Sequence, residues 1–156
     1  RSVSNGKEFI GMFRKCKNLK SLKGLENWNV SNGEDFSYMF YNCCNLENIK
    51  GLENWNVLNG KYFNNIFENC FKLTSLKDLK NWNVHNGYSF KYMFKECHNL
   101  KNLKGLENWD VFNGRDFNWM FKDCKNIISF KPLEEWEINN LKYGFNNYSS
   151  LIKKFI

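Results

Sequence analysis

At 156 residues, 42% hydrophobic and 18% aromatic, the chain holds enough apolar material for one continuous core, which excludes a disordered segment. No apolar run approaches the roughly 18 residues of a spanning helix, so no membrane insertion is expected, and the start lacks the basic, apolar and small-residue regions of a signal peptide. The net charge of +7 rests on 20 Lys and only 3 Arg, with Lys, Asn, Phe and Ile abundant and Ala and Gln absent; nucleic-acid recognition, which leans on the bidentate guanidinium, is disfavoured, and an AT-biased genome would by itself produce part of this charge.

The chain begins at RSVSNG, without an initiator Met and inside a unit whose strand and Trp are missing. A truncated N-terminal end is therefore expected, covered by further repeats or by a partner. The phrase GLENWNVSNG (Gly24–Gly33) then returns as GLENWNVLNG (Gly51–Gly60), DLKNWNVHNG (Asp78–Gly87) and GLENWDVFNG (Gly105–Gly114), each 27 residues on. A fixed period in this range signals a solenoid or array. It predicts one domain over 1–156, with repeats through 138 and a C-terminal cap over 139–156, where the pattern lapses (Gly144, Asn147) and ends in YSSLIKKFI.

Within each unit the first predicted element is a short parallel strand around LKSLKGL (Leu19–Leu25), apolar at spaced positions and ended by Gly. Its inward columns are Leu19/Leu46/Leu73/Leu100/Ile127, Leu22/Ile49/Leu76/Leu103/Phe130 and Leu25/Leu52/Leu79/Leu106/Leu133. The columns Trp28/Trp55/Trp82/Trp109/Trp136 and Val30/Val57/Val84/Val111/Ile138 follow. The Asn-Gly pairs (Asn32-Gly33 and equivalents) are read as turns, because Gly tolerates positive φ and Asn bonds nearby backbone. After each turn, Phe36, Met39, Phe40 and Cys43 stand at i, i+3, i+4 and i+7, the signature of one helix face. The fold class expected is α/β: a repeat solenoid with one short parallel strand and one short helix per 27-residue unit, about five units.

The run WNVSNGEDFSYMFYNCCNLENI (Trp28–Ile49) resembles the BspA-like branch of leucine-rich repeats, with the Trp, Met-Phe, Cys and Leu positions matching in order through about residue 138. The resemblance implies a leucine-rich-repeat binding scaffold, often a surface protein acting in adhesion, although fold alone does not set function. Gly33 and its equivalents depart from the family's Val, and the Leu22 to Leu25 spacing departs from Leu-x-Leu.

Five of six cysteines share one column, Cys16/Cys43/Cys70/Cys97/Cys124, spaced unlike zinc-binding pairs. They read as small buried side chains, with disulfides between stacked neighbours as the alternative. Cys44 faces away and is the candidate reactive thiol, and an unpaired column favours a reducing compartment. His85 and His98 do not recur, and no G-x-S-x-G, phosphate loop or H-E-x-x-H appears, so neither an enzyme nor a cofactor is expected.

Strand alternation turns two columns outward: Ser21/Asn48/Ser75/Asn102/Ser129 and the lysine ladder Lys23/Lys50/Lys77/Lys104/Lys131. Stacked like charges repel unless an anionic partner or the nearby Glu26/Glu53/Lys80/Glu107/Glu134 column relieves them. A second candidate contact is the free-varying slot Ser31/Leu58/His85/Phe112. A third is the set of outward aromatics Tyr38, Tyr41, Tyr62, Tyr88, Tyr92 and Trp119. The function expected is a non-enzymatic protein-protein scaffold; the alternatives are a surface adhesin engaging a host molecule, a binder of anionic polymer through the ladder, and a structural component of a larger assembly.

Overall fold

The structure, a computed structural model, describes residues 5–137 together with Ile152, Lys153, Phe155 and Ile156. Ile138 of the valine column and Asn140, Gly144, Asn147 and Leu151 of the expected cap lie outside the described residues.

The 27-residue period is physical, because equivalent side chains lie on one another. Phe9, Phe36, Phe63, Phe90 and Phe117 form a file of stacked rings with centroids 5.2–5.7 Å apart. Phe13, Phe40, Phe67, Phe94 and Phe121 form a second, and Trp28 to Trp136 a third at 6.2–6.5 Å. These files, with the Leu, Val, Met and Cys columns, make one core. Phe155 lies edge-on against Phe117, Phe121 and Trp136, and its carbonyl accepts the Phe121 N–H at 2.9 Å.

The expected α/β fold is overturned. Among the described residues the helices with defined bounds are two three-residue 3-10 turns, Lys77–Leu79 and Lys131–Leu133. Leu19–Leu25 forms no strand. Among the described residues pairing is confined to isolated parallel bridges, Glu8↔Asp35↔Tyr62↔Ser89↔Asp116, which lie just after the Asn-Gly pairs, where the helix was expected to begin.

Backbone chirality explains the missing helix. Each F-x-x-M-F-x-x-C segment contains two left-handed residues four apart, such as Tyr38 (φ 59°) and Asn42 (φ 59°), or Tyr92 (φ 57°) and Glu96 (φ 60°). A right-handed helix cannot pass through them. The N–H groups alternate instead between tight turns and the next coil. Met39 and Cys43 donate back to Phe36 and Phe40 at 3.3 and 3.2 Å, while Tyr38, Phe40 and Asn42 donate forward to Asn64, Ile66 and Glu68 at 2.9, 3.0 and 2.8 Å. Turns of this sort still bury i, i+3, i+4 and i+7, so the inward set matches the helical pattern while the element differs: Phe36, Met39, Phe40 and Cys43 are all buried.

The Asn-Gly turns also differ from expectation, since the positive-φ glycines are Gly11, Gly24, Gly51 and Gly105 rather than Gly33 and its equivalents. Gly87 is needed for closeness: a Cβ there would stand 2.3 Å from Phe90 Cζ and 2.8 Å from the Val84 carbonyl oxygen. Both are well inside van der Waals contact and sit in the core, so overpacking is unavoidable. Gly87→Ala is expected to lower unfolding free energy by about 1–3 kcal/mol in urea denaturation; a loss below about 0.5 kcal/mol would show that the ring can move aside.

The Trp and Cys columns do one job in two places. Leu52 O accepts both the Trp55 N–H of its own turn (3.1 Å) and the Trp82 indole Nε1 of the next coil (2.8 Å), and Leu79 serves Trp82 and Trp109 alike. In the same way Phe67 O accepts the Cys70 N–H at 3.1 Å and the Cys97 thiol at 3.2 Å. A buried carbonyl thus has both lone pairs used, and the side chain that completes it locks one coil to its neighbour.

Candidate functional site

Leu22, Ile49, Leu76 and Leu103 are anchored in the core, which leaves the residues on either side of each at the surface. Lys23, Lys50, Lys77, Lys104 and Lys131 are all exposed. The column preceding them is turn-forming: Asn48 Oδ1, Ser75 Oγ, Asn102 Oδ1 and Ser129 Oγ accept the backbone N–H of Lys50, Lys77, Lys104 and Lys131 at 3.3, 3.3, 3.1 and 3.1 Å. Ser and Asn recur there because a short side-chain acceptor can reach the N–H two residues on. Ser21, Asn48 and Asn102 remain exposed and Ser75 is half-buried. The row of lysines therefore sits on turns rather than on a strand face.

The glutamates beside the row are held by the backbone. Glu26, Glu53 and Glu107 each accept the N–H of Gly24, Gly51 or Gly105 at 2.5 Å. Backbone hydrogen bonds foremost, with Lys23 and Lys50 adding to them, keep the Glu26 carboxyl below its ordinary value. Positive and negative rows consequently run side by side, and between them Ser21, Lys23, Glu26, Asn48, Lys50, Gly51 and Glu53 line a cleft of about 490 Å³.

Leu58 and Phe112 in the free-varying slot are exposed, at 39% and 40%. An asparagine ladder runs beside them: Asn59, Asn86 and Asn113 donate from Nδ2 to the carbonyls of Ser31, Leu58 and His85 at 2.8–2.9 Å. His85 Nδ1 meets Asp110 Oδ2 at 2.6 Å, and this bond, followed by the Phe112 N–H, holds the Asp110 carboxyl below its ordinary value. The sequence signal for this pair was present, since Asp110 replaces the Asn of Asn29, Asn56 and Asn83 in the coil after the histidine. Asp110→Asn keeps an acceptor for Phe112, so unfolding free energy is expected to change by no more than about 0.5 kcal/mol, as for exposed ion pairs generally. A loss above about 1 kcal/mol in chemical denaturation would give the pair a structural role.

The ladder's Asn59, Asn86 and Asn113, with Lys7, Asn32, Glu34, Lys61, Tyr62 and Tyr88, line an open groove of about 630 Å³. Glu34 bridges Lys61 (2.8 Å) and Lys7 (3.3 Å), whose hydrogen bonds draw its carboxyl below the ordinary range.

The remaining outward aromatics stand on turns, not on a helix. Tyr92 and Trp119 stack at 5.2 Å, Lys91 lies over both rings, Lys95 over Tyr92 and Lys122 over Trp119. Arg14 lies over Tyr38 and Tyr41 in the same way. Glu68, 7% exposed, pairs with Lys95 at 3.0 Å and takes an Asn65 amide hydrogen bond. Tyr38, Tyr92 and Trp119 all occupy left-handed backbone, at φ 59°, 57° and 55°, which costs a bulky residue about 1–3 kcal/mol.

All six cysteines are free thiols. Burial raises Cys43 and Cys124 to about 12 and pushes Cys70 and Cys97 well above the ordinary thiol value. Cys16 is exposed and Cys44 half-buried. Since the thiolate is the reactive form, a disulfide-exchange reagent at pH 8 is expected to label Cys16 and Cys44 in the native protein and the other four only on unfolding. Rapid native labelling at Cys97, read by peptide mapping, would contradict this packing. Among the described residues no three His, Cys, Asp or Glu side chains converge on a metal site.

The chain belongs to the family described as "Mycoplasma protein of unknown function, DUF285", which matches residues 48–154, more than half its length. No curated protein and no solved structure matches it significantly.

Proposed function

We propose that this protein is a non-enzymatic scaffold that binds a protein partner across the paired lysine and glutamate rows. The observation that carries the reading is the alternation of sign. Lys23 and Lys50 stand beside Glu26 and Glu53 along one cleft, with each carboxylate fixed in place by a glycine N–H. A uniform polyanion attracted to the lysine row would meet repulsion from Glu26, Glu53, Glu107 and Glu134 in the second row, which only Lys80 interrupts. A protein surface can match both signs, and such complementarity gives specificity more than raw affinity.

The test is capture of partners from the native source by the intact chain and by Lys23→Ser/Lys50→Ser/Lys77→Ser/Lys104→Ser, at low and moderate salt. Loss of one defined protein with the variant supports the reading. Retention of that protein places the contact elsewhere. Capture dominated by nucleic acid or sulfated glycan, falling steeply with salt, favours the anionic-polymer alternative.

A further inference from the structure

We propose that the aromatic and basic face around Tyr92 and Trp119, continued by Arg14 over Tyr38 and Tyr41, docks peripherally on a bilayer carrying anionic headgroups. The repeat supplies its own control for why these residues are there. The first left-handed slot of each turn holds Gly11, Tyr38, Asn65, Tyr92 and Trp119, and the second holds Lys15, Asn42, Asn69, Glu96 and Asp123. Gly and Asn take such backbone with least strain, and both occur in the first slot, so the fold is built without an aromatic there. The second slot shares the backbone constraint and carries none. Tyr38, Tyr92 and Trp119 are thus present against local preference, and strain of this kind points to a function.

Core packing does not account for them either. The two phenylalanine files and the tryptophan file are complete without these rings, and Trp119 stays 41% exposed. The charged groups lying over the ring faces are all cationic. Lys91 lies 5.1 Å from the Tyr92 centroid and 5.7 Å from that of Trp119, and Lys122 lies 5.4 Å from Trp119. The neighbouring acids are engaged: Glu68 and Glu96 pair at 3.0 and 3.5 Å with Lys95, which itself lies 5.3 Å from the Tyr92 centroid, and Asp116 Oδ1 accepts the Asn118 N–H at 2.9 Å.

The occupant follows from which parts of the rings are covered. Tyr92 and Trp119 stack on one another at 5.2 Å with ammonium groups over them, too close for a nucleobase to enter between them as it would on a stacking platform. Tyr and Trp rings beside lysines are instead suited to the headgroup level of a membrane, where amphipathic rings settle and basic side chains are drawn to anionic lipid. None of these residues lines either cleft described above, and a bilayer needs no cleft. This surface is separate from the lysine and glutamate rows and does not depend on the protein-binding reading.

The test is co-sedimentation of the full chain with vesicles of phosphatidylcholine alone, or with a third of the lipid replaced by phosphatidylserine. Binding is expected to the anionic vesicles only. Tyr92→Asn/Trp119→Asn, which gives both sites the residue found at Asn65, should reduce the bound fraction at least about fivefold while leaving the melting temperature within about 3 °C of the parent. Lys91→Gln/Lys122→Gln should weaken binding similarly and decides the matter alone if the first variant does not fold. The proposal is overturned if the parent chain ignores anionic vesicles, or if either variant binds undiminished. It is equally overturned if Trp119-dependent binding appears with a single-stranded oligonucleotide and not with lipid.

Discussion

Trp82→Ala is expected to be among the most damaging single substitutions in this protein, lowering unfolding free energy by about 4 kcal/mol or more. Trp82 is 3% exposed, lies between Trp55 and Trp109 at 6.5 and 6.3 Å, and is tilted against Phe63 at 6.1 Å. Removing the ring leaves a cavity in the middle of a continuous file, a loss of about 3–5 kcal/mol where neighbours cannot collapse. It also removes the indole donor from the Leu52 carbonyl, bonded at 2.8 Å. Trp82→Phe separates the two effects, because it keeps most of the ring and loses the donor; about 1–3 kcal/mol is expected for that carbonyl's lost partner. Equilibrium urea denaturation of both variants decides it. A Trp82→Phe loss near zero would mean that the hydrogen bond does not contribute, and a Trp82→Ala loss below about 2 kcal/mol would mean that the file is looser than its spacing indicates.

Phe94→Ala should come close to it, at about 3–5 kcal/mol, and the same file provides a comparison. Phe94 is fully buried and stacks on Phe67 and Phe121 at 5.6 and 5.5 Å. Phe13 is half-buried and stacks in that file on Phe40 alone, at 5.4 Å. The energy of a buried ring scales with the apolar area withdrawn from water, so Phe13→Ala should cost roughly half as much as Phe94→Ala. Melting temperatures and urea midpoints measured together test the ratio. Equal losses would show that the coils unfold as one block whose stability is insensitive to position, whereas coils coupled only to their neighbours should show the difference.

Both predictions depend on a property that is plain in the letters: the same residue every 27 positions. Register alone identified what is buried inside the stack, because a column filled with Phe, Leu or Trp in each unit has one environment away from the first unit, and Phe36, Leu46, Trp55, Val57 and Cys70 are all in the core. Register also exposed the lysine row and the free-varying slot. It could not identify the element that carries a column. Spacing of three, four and seven fits a helix, and it fits equally a chain of tight turns interrupted by left-handed residues. Ordinary residues such as Lys15, Tyr38 and Glu96 give no letter-level sign that their φ is positive.

The remaining decisions belong to the tertiary structure, because each needs either the path of the backbone or a neighbour in the next coil. The cysteine column reads in sequence as small apolar filling; in the structure Cys43, Cys70, Cys97 and Cys124 each donate to a phenylalanine carbonyl of the preceding coil at 2.9–3.3 Å. Gly87 reads as a flexible turn residue and is instead the floor beneath Phe90. Glu26 reads as a counter-ion for lysine and is bonded to a backbone N–H. The sequence by itself determined which residues repeat and which of them must leave water, since burial follows side-chain chemistry averaged down a column. Only the tertiary structure decided how the backbone turns and where each polar group finds its partner, since hydrogen bonds are directional and many of the partners sit in the next coil.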